Sequence, residues 1–316
     1  MRVLVTGGAG FIGSNLVDRL LAEDCDVDVV DDLSSGSLPN LADARSQRHR
    51  RCSFHRLDVS VGGVEELMAH RKPEIVYHLA AQKSVTASVA DPGYDALVNI
   101  VGSLHVLQGA VAAGTRKLVF AGSGGTLYGV AKTIPTPESH PTHPVSPYGV
   151  SKLAVADYLH YYRDQHNLSF TVLALANVYG PRQDPDGEAG VVAIFSKKVL
   201  AKVQPTIYGD GEQTRDYLYV DDAVDAFVQA SDRADGKLLN IGTGIETSVL
   251  DLYDLVAAAA GYDGRARLQP ARPGELRRSA LDPSAAATQL GWRPWTTLED
   301  GVTRTVEWFR SQGQRD

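Results

Sequence analysis

The sequence predicts an α/β fold in which helices cover both faces of a parallel sheet, and three observations support this class. The first half alternates short apolar segments with longer stretches of helical character. That alternation is typical of βαβ units, whose strands are parallel. The apolar segments are nearly continuous, as in strands buried on both faces. A glycine-rich turn joins the first predicted strand to the first predicted helix.

The predicted elements follow this alternation in order. Strands are predicted at residues 2–6, 26–32, 53–59, 75–80, 117–123 and 171–178, and one more at 237–244. Helices are predicted at 11–22, 64–70, 94–113, 148–165 and 248–260. The segment 34–51 reads as polar and irregular, 181–190 as a loop, 202–217 as short strands and turns, and 270–274 as a turn rich in Arg, Pro and Gly.

Composition and charge favour an ordinary globular protein. The 316 residues suit one large domain or two closely joined ones, with 43% hydrophobic and 22% charged residues. A net charge of −7 gives no basis for nonspecific binding to nucleic acid or an anionic membrane. We find no apolar run of about 18 residues and no secretory signal, so we expect no membrane segment. Cys25 and Cys52 lack metal or disulfide spacing, and we expect reduced thiols in a cytoplasmic protein without a metal site.

The opening segment Thr6-Gly-Gly-Ala-Gly-Phe-Ile-Gly13 has the features of a dinucleotide-binding turn. It follows an apolar strand and starts a helix, which is the context this fingerprint requires. The glycines allow a tight turn, and the helix N-terminus offers N–H groups to a pyrophosphate. Acidic residues close the second strand, where a carboxylate binds ribose hydroxyls and repels a 2′-phosphate, so NAD is favoured over NADP. The residues assigned to the cofactor on this basis are Gly7, Gly10, Phe11, Ile12, Gly13, Asp31 and Asp32, with Asp58 and Val59 near the adenine.

Tyr148-Gly-Val-Ser-Lys152 is the candidate catalytic motif. A tyrosine and a lysine four residues apart lie on the same face of a helix. A protonated lysine favours the phenolate, so we expect it to lower a tyrosine pKa that is ordinarily about 10. Such a tyrosine acts as a base near neutral pH.

These motifs, with others along the whole chain, resemble the extended short-chain dehydrogenase/reductases and, within them, the UDP-glucose (UDP-galactose) 4-epimerases. The resemblance is carried by the two motifs above and by His78-Leu-Ala-Ala-Gln82, Tyr128-Gly129, Asn177-Val-Tyr-Gly-Pro-Arg-Gln-Asp-Pro185, Arg215-Asp-Tyr217, Asn240-Ile-Gly242 and Arg272-Pro-Gly274. It implies a Rossmann-like NAD-binding domain at 1–178, with returns near 216–244. It also implies a smaller C-terminal α/β domain at 179–215 and 245–316 that binds the UDP-sugar.

The resemblance also implies an activity and a set of site residues. UDP-glucose and UDP-galactose would interconvert by C4 oxidation to a 4-keto intermediate and re-reduction on the opposite face, with NAD retained. Tyr148 would take the proton of the 4-hydroxyl, and Lys152 would hold the nicotinamide ribose. The other residues implied at the cofactor are Leu79, Ala80, Ala81, Lys83 and Asn99. Those implied at the substrate are Lys83, Thr126, Tyr148, Asn177, Arg215, Arg272, Glu275 and Ser279. A homodimer through helices 94–113 and 148–165 is also expected.

The chain departs from the family pattern at Gly124, where most relatives carry a Ser or Thr that bonds the sugar 4-oxygen. Three alternatives remain for the proton relay: Thr126 reaches in, Ser123 does so, or Tyr148 acts directly. We favour Thr126 or direct action. Gly125 and Thr126 stand where the 4,6-dehydratases of the superfamily have Asp and Glu, which argues against a dehydratase.

The choice of sugar is left open by the sequence. Asp184 stands where glucuronate epimerases carry an arginine, and its charge would repel the C6 carboxylate. Ser279 stands where hexose-only relatives have a bulky tyrosine, so UDP-N-acetylglucosamine is an alternative substrate, with UDP-glucuronate less favoured. A true dehydrogenase or reductase of sugar nucleotides, which as a dehydrogenase would release NADH, and a catalytically inactive NAD sensor are the other hypotheses, since fold alone does not establish chemistry.

Overall fold

A seven-stranded parallel sheet forms the centre of the protein in this computed structural model, which describes residues 1–46, 52–186, 190–272 and 276–313. Every neighbouring pair of strands in this sheet is parallel. The spatial order is β11-β6-β5-β4-β1-β2-β3. The strands are β1 (Arg2–Thr6), β2 (Asp26–Asp31), β3 (Cys52–Arg56), β4 (Ile75–His78), β5 (Lys117–Ser123), β6 (Ser169–Leu175) and β11 (Lys237–Ile241).

Helices cover both faces of this sheet. The helices are α1 (Phe11–Ala22), α2 (Ala42–Ser46), α3 (Val64–Arg71), α4 (Val85–Ala90), α5 (Pro92–Ala96), α6 (Gly102–Ala113), α7 (Gly124–Leu127), α8 (Pro147–His166), α9 (Val191–Leu200), α10 (Val220–Gln229), α11 (Val249–Ala260), α12 (Ser284–Gln289) and α13 (Leu298–Gln312). Along β1, Val3 and Val5 belong to one hydrophobic core and Leu4 to a second core on the opposite face. Because successive side chains of β1 enter two different cores, the sheet is buried on both faces. The nearly continuous apolar character of the predicted strands indicated the same. The predicted fold class, a doubly wound parallel sheet, is confirmed.

Smaller strand pairs lie in the second half of the chain. They are β7 (Asn177–Tyr179) with β10 (Tyr217–Tyr219), β8 (Thr206–Tyr208) with β13 (Arg267–Gln269), and β9 (Thr214–Arg215) with β12 (Thr247–Ser248). The predicted strand 171–178 is divided between β6 and β7, because β7 leaves the main sheet and pairs with β10. The segment 34–51 contains a 3₁₀ turn at Leu38–Leu41 and helix α2, so its prediction as irregular is wrong where it is described. The predicted boundaries between the two domains stay a prediction.

The second half also contains helices that the sequence reasoning missed. These are α9, α10, α12 and α13. Their buried side chains pack into the same hydrophobic core as α1, which joins the second half of the chain to one face of the sheet. The site is therefore framed by elements from both halves.

One helix meets the length and composition of a membrane span. The helical segment Pro92–Ala113 comprises α5, a π-helical turn (Leu97–Val101) and α6, and has 22 residues. The expectation that no segment is apolar enough is wrong on that count. This helix packs against α3 and α8, and core helices of α/β folds pass the same test, so it is weak evidence for a membrane segment.

Candidate active site

A cleft of about 470 Å³ opens at the carboxyl ends of the central strands. Residues that follow β1, β2, β4, β5 and β6 line it. Its centre lies where β4 and β1 are neighbours, the position at which the strand order reverses and where ligands of open α/β sheets bind. The volume is typical of a small-molecule or cofactor site.

Each glycine of the opening turn has a separate steric role. Gly7 adopts a φ of +68°, and a Cβ there would lie 2.7 Å from the Ala80 nitrogen. A Cβ at Gly13 would overlap the Gly7 carbonyl oxygen, so the turn packs directly on the helix. At Gly10 the nearest atom to a Cβ is the Gly7 oxygen at 3.2 Å, which leaves the space beside the helix N-terminus open.

The N-terminus of α1 is suited to an anion. No side chain caps Gly10, and the first turn contains no acidic residue. Unpaired N–H groups and the helix dipole therefore face the cleft at a position where a pyrophosphate is stabilised. The structure thus fits a dinucleotide here, with Gly7, Gly10, Phe11, Ile12 and Gly13 all lining the cleft.

Two acidic residues form the next section of the cleft wall. Asp31 is buried, and its carboxylate accepts hydrogen bonds from the Ala9 nitrogen at 2.9 Å and the Leu33 nitrogen at 2.8 Å. Burial raises the pKa of Asp31, while these backbone donors lower it. Asp32 accepts hydrogen bonds from Ser34 and lines the cleft beside it. Both residues lie where the sequence predicted ribose contacts, and Asp31 also braces the glycine turn.

Asp58 and Val59 line the same end of the cleft. The Asp58 carboxylate accepts from the Ser60 nitrogen at 2.8 Å and from the Ser60 hydroxyl at 2.7 Å, so it also caps a 3₁₀ turn. Leu79, Ala80, Ala81 and Lys83 line the opposite wall, on the loop after β4.

Tyr148 and Lys152 lie one turn apart at the start of α8, and both line the cleft. The helix begins there because the Ser146 side chain accepts from the Gly149 nitrogen at 3.2 Å and Pro147 occupies the first turn. The Lys152 ammonium donates to the Ala121 oxygen at 3.0 Å and lies 5.8 Å from the centroid of the Tyr148 ring. The motif therefore places a phenol and an ammonium group side by side in the cleft.

The pKa of Tyr148 differs from the sequence expectation. Burial raises it to about 12, although a hydrogen bond with the Ser123 side chain lowers it and the charge of Asp95 raises it further. Burial also lowers the pKa of Lys152 to about 8, against the raising effect of Asp95. The expectation of an acidic phenol is therefore wrong for the protein alone, because burial has the largest effect on the pKa of Tyr148 and raises it.

The hydroxyl beside Tyr148 is that of Ser123 and not of Thr126. Ser123 lines the cleft and bonds Tyr148. Thr126 is absent from the described residues of the cleft wall, and its hydroxyl donates to the Ser123 carbonyl oxygen at 3.3 Å. The preference for Thr126 over Ser123 is corrected on this geometry. A Cβ at Gly124 would overlap Leu281 and lie 3.0 Å from the Ala174 oxygen, so position 124 faces a small hydrophobic core and not the cleft.

A buried network fixes the loop after β4. The Ser103 hydroxyl donates to the Asn99 oxygen at 2.6 Å, so His78 Nε2 donates to Ser103 at 2.8 Å, and His78 Nδ1 accepts from the Thr6 hydroxyl at 2.6 Å. Burial lowers the pKa of His78 to about 3, so the ring is neutral. The Thr6 oxygen in turn accepts from the nitrogens of Leu79 and Ala80 at 3.2 Å.

Asn99 belongs to this support and does not line the cleft. Its Oδ1 accepts from the Gln82 nitrogen at 2.9 Å, and its Nδ2 donates to the Gln82 oxygen at 3.0 Å and to Asp95 at 2.9 Å. Asn99 is not among the described residues of the cleft wall, and its predicted contact with the cofactor stays a prediction. It lies in the π-helical turn, a feature frequent at functional sites.

The predicted substrate residues fall into two groups. Lys83 and Asn177 line the cleft. Arg215 donates to the Thr214 oxygen at 2.7 Å, and the exposed Arg272 guanidinium stacks 4.2 Å from the centroid of Tyr208. Neither arginine lies among the described residues of the cleft wall, and Ser279 is half-buried outside it. Glu275 lies outside the described residues.

Comparisons with known proteins agree with this geometry. Residues 3–242 match the model of the NAD dependent epimerase/dehydratase family. A UDP-glucose 4-epimerase from Mycolicibacterium smegmatis is 49% identical over 99% of this chain and 100% of its own length. This chain belongs to the NAD-dependent epimerase/dehydratase family. The prediction of an extended short-chain dehydrogenase/reductase is confirmed.

Solved structures of this epimerase/dehydratase family are similar over the whole chain. A UDP-glucose 4-epimerase from Thermotoga maritima, solved with UDP-glucose, has a TM-score of 0.93 and 45% identity over 99% of each chain. One from Thermus thermophilus, solved with NAD, has a TM-score of 0.90 and 42% identity over 98% of this chain and 99% of its own. Both the family match and the similar structure solved with NAD support the predicted NAD dependence of this chain.

Sequence reasoning missed several residues of this epimerase/dehydratase site. Gln183 lines the cleft, and its buried Oε1 has no hydrogen-bond partner among the described residues. It lies in the quoted Asn177–Pro185 motif, which could have identified it. Asp184, which the sequence placed near the sugar C6, also lines the cleft. Asp95 and Ser151 had no such signal, because only the folded chain brings them together.

Proposed function

We propose that this protein is an NAD-dependent UDP-glucose 4-epimerase that interconverts UDP-glucose and UDP-galactose. One observation carries the proposal: Tyr148, Lys152 and Ser123 line the same cleft as the uncapped N-terminus of α1. A base, a cation and a dinucleotide site therefore share one space. Full-length similarity to the epimerases described above supports the same conclusion.

The residues that would hold NAD are those of the cleft wall. The α1 N-terminus would bind the pyrophosphate, Asp31 and Asp32 the adenosine ribose, and Lys152 the nicotinamide ribose. When bound, NAD supplies the hydride acceptor and donor for the change at C4 of the sugar.

Tyr148 would move the proton of the sugar 4-hydroxyl. Its pKa of about 12 keeps the phenol neutral at pH 7 in the protein alone, so ionisation requires additional positive charge at the site. Lys152 supplies a nearby charge that is itself close to titration, with a pKa of about 8. Ser123 donates to or accepts from the Tyr148 oxygen and is the hydroxyl placed to relay the proton.

Neutral hexoses fit the charge of the cleft better than uronic acids. Asp184 lines the cleft, and its carboxylate accepts from the Asp186 nitrogen at 2.9 Å. A C6 carboxylate near this side chain would be repelled. UDP-N-acetylglucosamine remains the alternative substrate on the sequence resemblance alone, which places the small Ser279 at the sugar, whereas Ser279 is not among the described residues of the cleft wall.

The function is tested by incubating the purified protein with UDP-galactose, UDP-N-acetylglucosamine and UDP-glucuronate in turn, with products separated by chromatography. We expect UDP-glucose from UDP-galactose without net formation of NADH. Tyr148→Phe should abolish conversion and leave NAD bound, which separates loss of chemistry from loss of cofactor. Steady accumulation of NADH, or no conversion of any of the three substrates, would refute the proposal.

We also propose that the protein is a homodimer through α8 and the helix Pro92–Ala113. The two helices pack side by side, and both expose large apolar side chains. These are Tyr94, Leu97 and Val101 on one helix and Val150, Tyr158 and Tyr161 on the other. Contiguous exposed apolar surface of this kind marks an interface. Light scattering after size exclusion should give twice the 33.9 kDa chain mass, and Leu97→Glu should give the monomer.

A further inference from the structure

A fully buried carboxylate lies directly behind the catalytic pair. Asp95 has no exposed surface. Its Oδ1 accepts from the Gln82 amide at 2.9 Å and the Asn99 amide at 2.9 Å, and its Oδ2 accepts from the Ser151 hydroxyl at 2.7 Å. All three partners are neutral, so among the described residues no hydrogen bond neutralises the charge of this carboxylate.

The three partners belong to three different parts of the site. Gln82 lies on the loop that lines the cleft after β4, Asn99 lies in the π-helical turn, and Ser151 immediately precedes Lys152 on α8. A single carboxylate therefore joins the catalytic helix to the cofactor loop. Hydrogen bonds to a charged acceptor are stronger than those between neutral groups, which makes this junction stiff.

The position of Asp95 also sets the charge around Lys152. A buried ammonium is unfavourable unless an opposite charge lies nearby. The Lys152 ammonium bonds a carbonyl oxygen and lies 4.7 Å from the centroid of Phe120, neither of which carries a charge. We propose that Asp95 is a positioning residue whose buried carboxylate keeps the Lys152 ammonium charged and ties the catalytic helix to the cofactor cleft. The catalytic part of this proposal rests on the proposed function.

Other ionisable groups near the pair do not supply this anion. His78 of β4 is neutral, as its buried network requires, and Tyr148 is neutral at pH 7. His105 of α6 bonds the Val59 oxygen, and Lys117 of β5 bonds the Phe170 oxygen at the other end of the strand. Among the described residues, Asp95 is the acid whose charge acts on both Tyr148 and Lys152, raising the pKa of each.

The first test is the pH dependence of turnover in Asp95→Asn, which keeps the shape of the side chain and removes its charge. Removing the negative charge of Asp95 lowers the pKa of both Tyr148 and Lys152. Both the acidic and the alkaline limb of the plot of kcat against pH should therefore move to lower pH, by about one unit. Turnover at pH 8.5 should fall by about tenfold, since one pH unit on the alkaline limb is a tenfold change. Ser151→Ala is the matched control: it removes one bond of the same carboxylate, keeps the charge, and should leave both limbs in place.

A second measurement does not depend on activity. Unfolding of the full-length protein with excess NAD is compared for the wild type, Asp95→Asn, Lys152→Met and the double variant. We expect Lys152→Met to raise the urea midpoint by more in the Asp95→Asn background than in the wild type, because only there has the buried cation lost its anion. If Asp95→Asn is too unstable to purify, the yield of soluble protein is compared instead, and Lys152→Met should raise that yield by more in the Asp95→Asn background than in the wild type.

The proposal would be overturned if the limbs of the pH profile do not move in Asp95→Asn, or if the effects of the two substitutions on unfolding are additive. Either result would mean that Asp95 has only a structural role. If the wild type converts none of the UDP-sugars, the proposed function fails, while the unfolding comparison still decides whether Asp95 and Lys152 are coupled.

Discussion

Lys152→Met should inactivate the NAD-bound enzyme and yet make the cofactor-free protein more stable at neutral pH. Lys152 is 3% exposed, and burial lowers its pKa from 10.5 to about 8. The difference, 10.5 − 8, corresponds to a cost of about 3 kcal/mol for keeping a charged lysine in the fold. Methionine has a similar length, carries no charge and packs well on an aromatic ring such as Phe120.

Part of this gain is offset by contacts that the substitution removes. The Lys152 ammonium donates to the Ala121 oxygen, and an unpaired buried carbonyl costs about 1 kcal/mol. The net expectation is a free energy of unfolding about 2 kcal/mol higher than that of the wild type at pH 7. Turnover should fall at least about 100-fold, because the charge beside the catalytic phenol is lost.

The pH dependence of this difference has a definite sign. Below pH 8 both the folded and the unfolded wild type carry the proton on Lys152, and the full cost of burial is present. Between pH 8 and 10.5 the unfolded state binds more protons, so the wild type gains stability as pH rises. The advantage of Lys152→Met should therefore be largest below pH 8 and should shrink towards pH 10.5.

The assay is urea unfolding of cofactor-free protein at pH 7, 8.5 and 9.5. Lys132→Met is the control, because Lys132 is exposed and its replacement should change stability by less than about 0.5 kcal/mol. A Lys152→Met protein that is less stable than the wild type at pH 7, or a difference that does not vary with pH, would refute the reasoning.

Four further substitutions test the site. Ser123→Ala should lower kcat by about 10- to 100-fold, since a hydrogen bond to a charged oxygen is worth roughly 1.5–3 kcal/mol. Thr126→Ala should change kcat by less than about threefold. Steady-state kinetics of both variants test this, and a larger loss in Thr126→Ala than in Ser123→Ala would contradict the Ser123 relay. Gly124→Ser should leave kcat no higher and lower the free energy of unfolding by about 1–3 kcal/mol, because its Cβ meets Leu281; a rise in kcat would show that position 124 reaches the cleft. Gly13→Ala should abolish NAD retention on purification, measured by absorbance after release, and normal NAD content would contradict the packing of the turn on α1.

Most of the nucleotide-binding half could be predicted from local sequence. Three predicted elements match their observed bounds: Arg2–Thr6, Phe11–Ala22 and Lys117–Ser123. Each is a continuous apolar strand or an amphipathic helix next to glycine, and these signals depend on neighbouring residues only. The parallel direction of the strands followed from the βαβ pattern, because the helix between two strands returns the chain to the same end of the sheet, whereas the spatial order of the strands was not predicted.

The second half was harder for identifiable reasons. Helix α10 starts directly from strand β10, and no side chain caps it at Tyr219. Helix α9 is rich in Val and Ile, which favour strands, and tertiary packing overrides that preference. Helix α13 could have been found, because Leu298, Val302 and Val306 recur every four residues and the Thr297 side chain caps the Asp300 nitrogen.

The electrostatics of the site could not be read from the motif, and the reason is general. The spacing along the helix predicts that Tyr148 and Lys152 are neighbours, but the pKa of each group also depends on how far burial removes it from water. In this fold both are desolvated, and the burial that aligns them raises the pKa of the phenol and lowers that of the lysine. The folded chain therefore holds both groups nearer to their neutral forms than the motif implies. A site of this kind gains a strong base only when further positive charge enters it, so the pair is inactive by default and depends on what occupies the cleft.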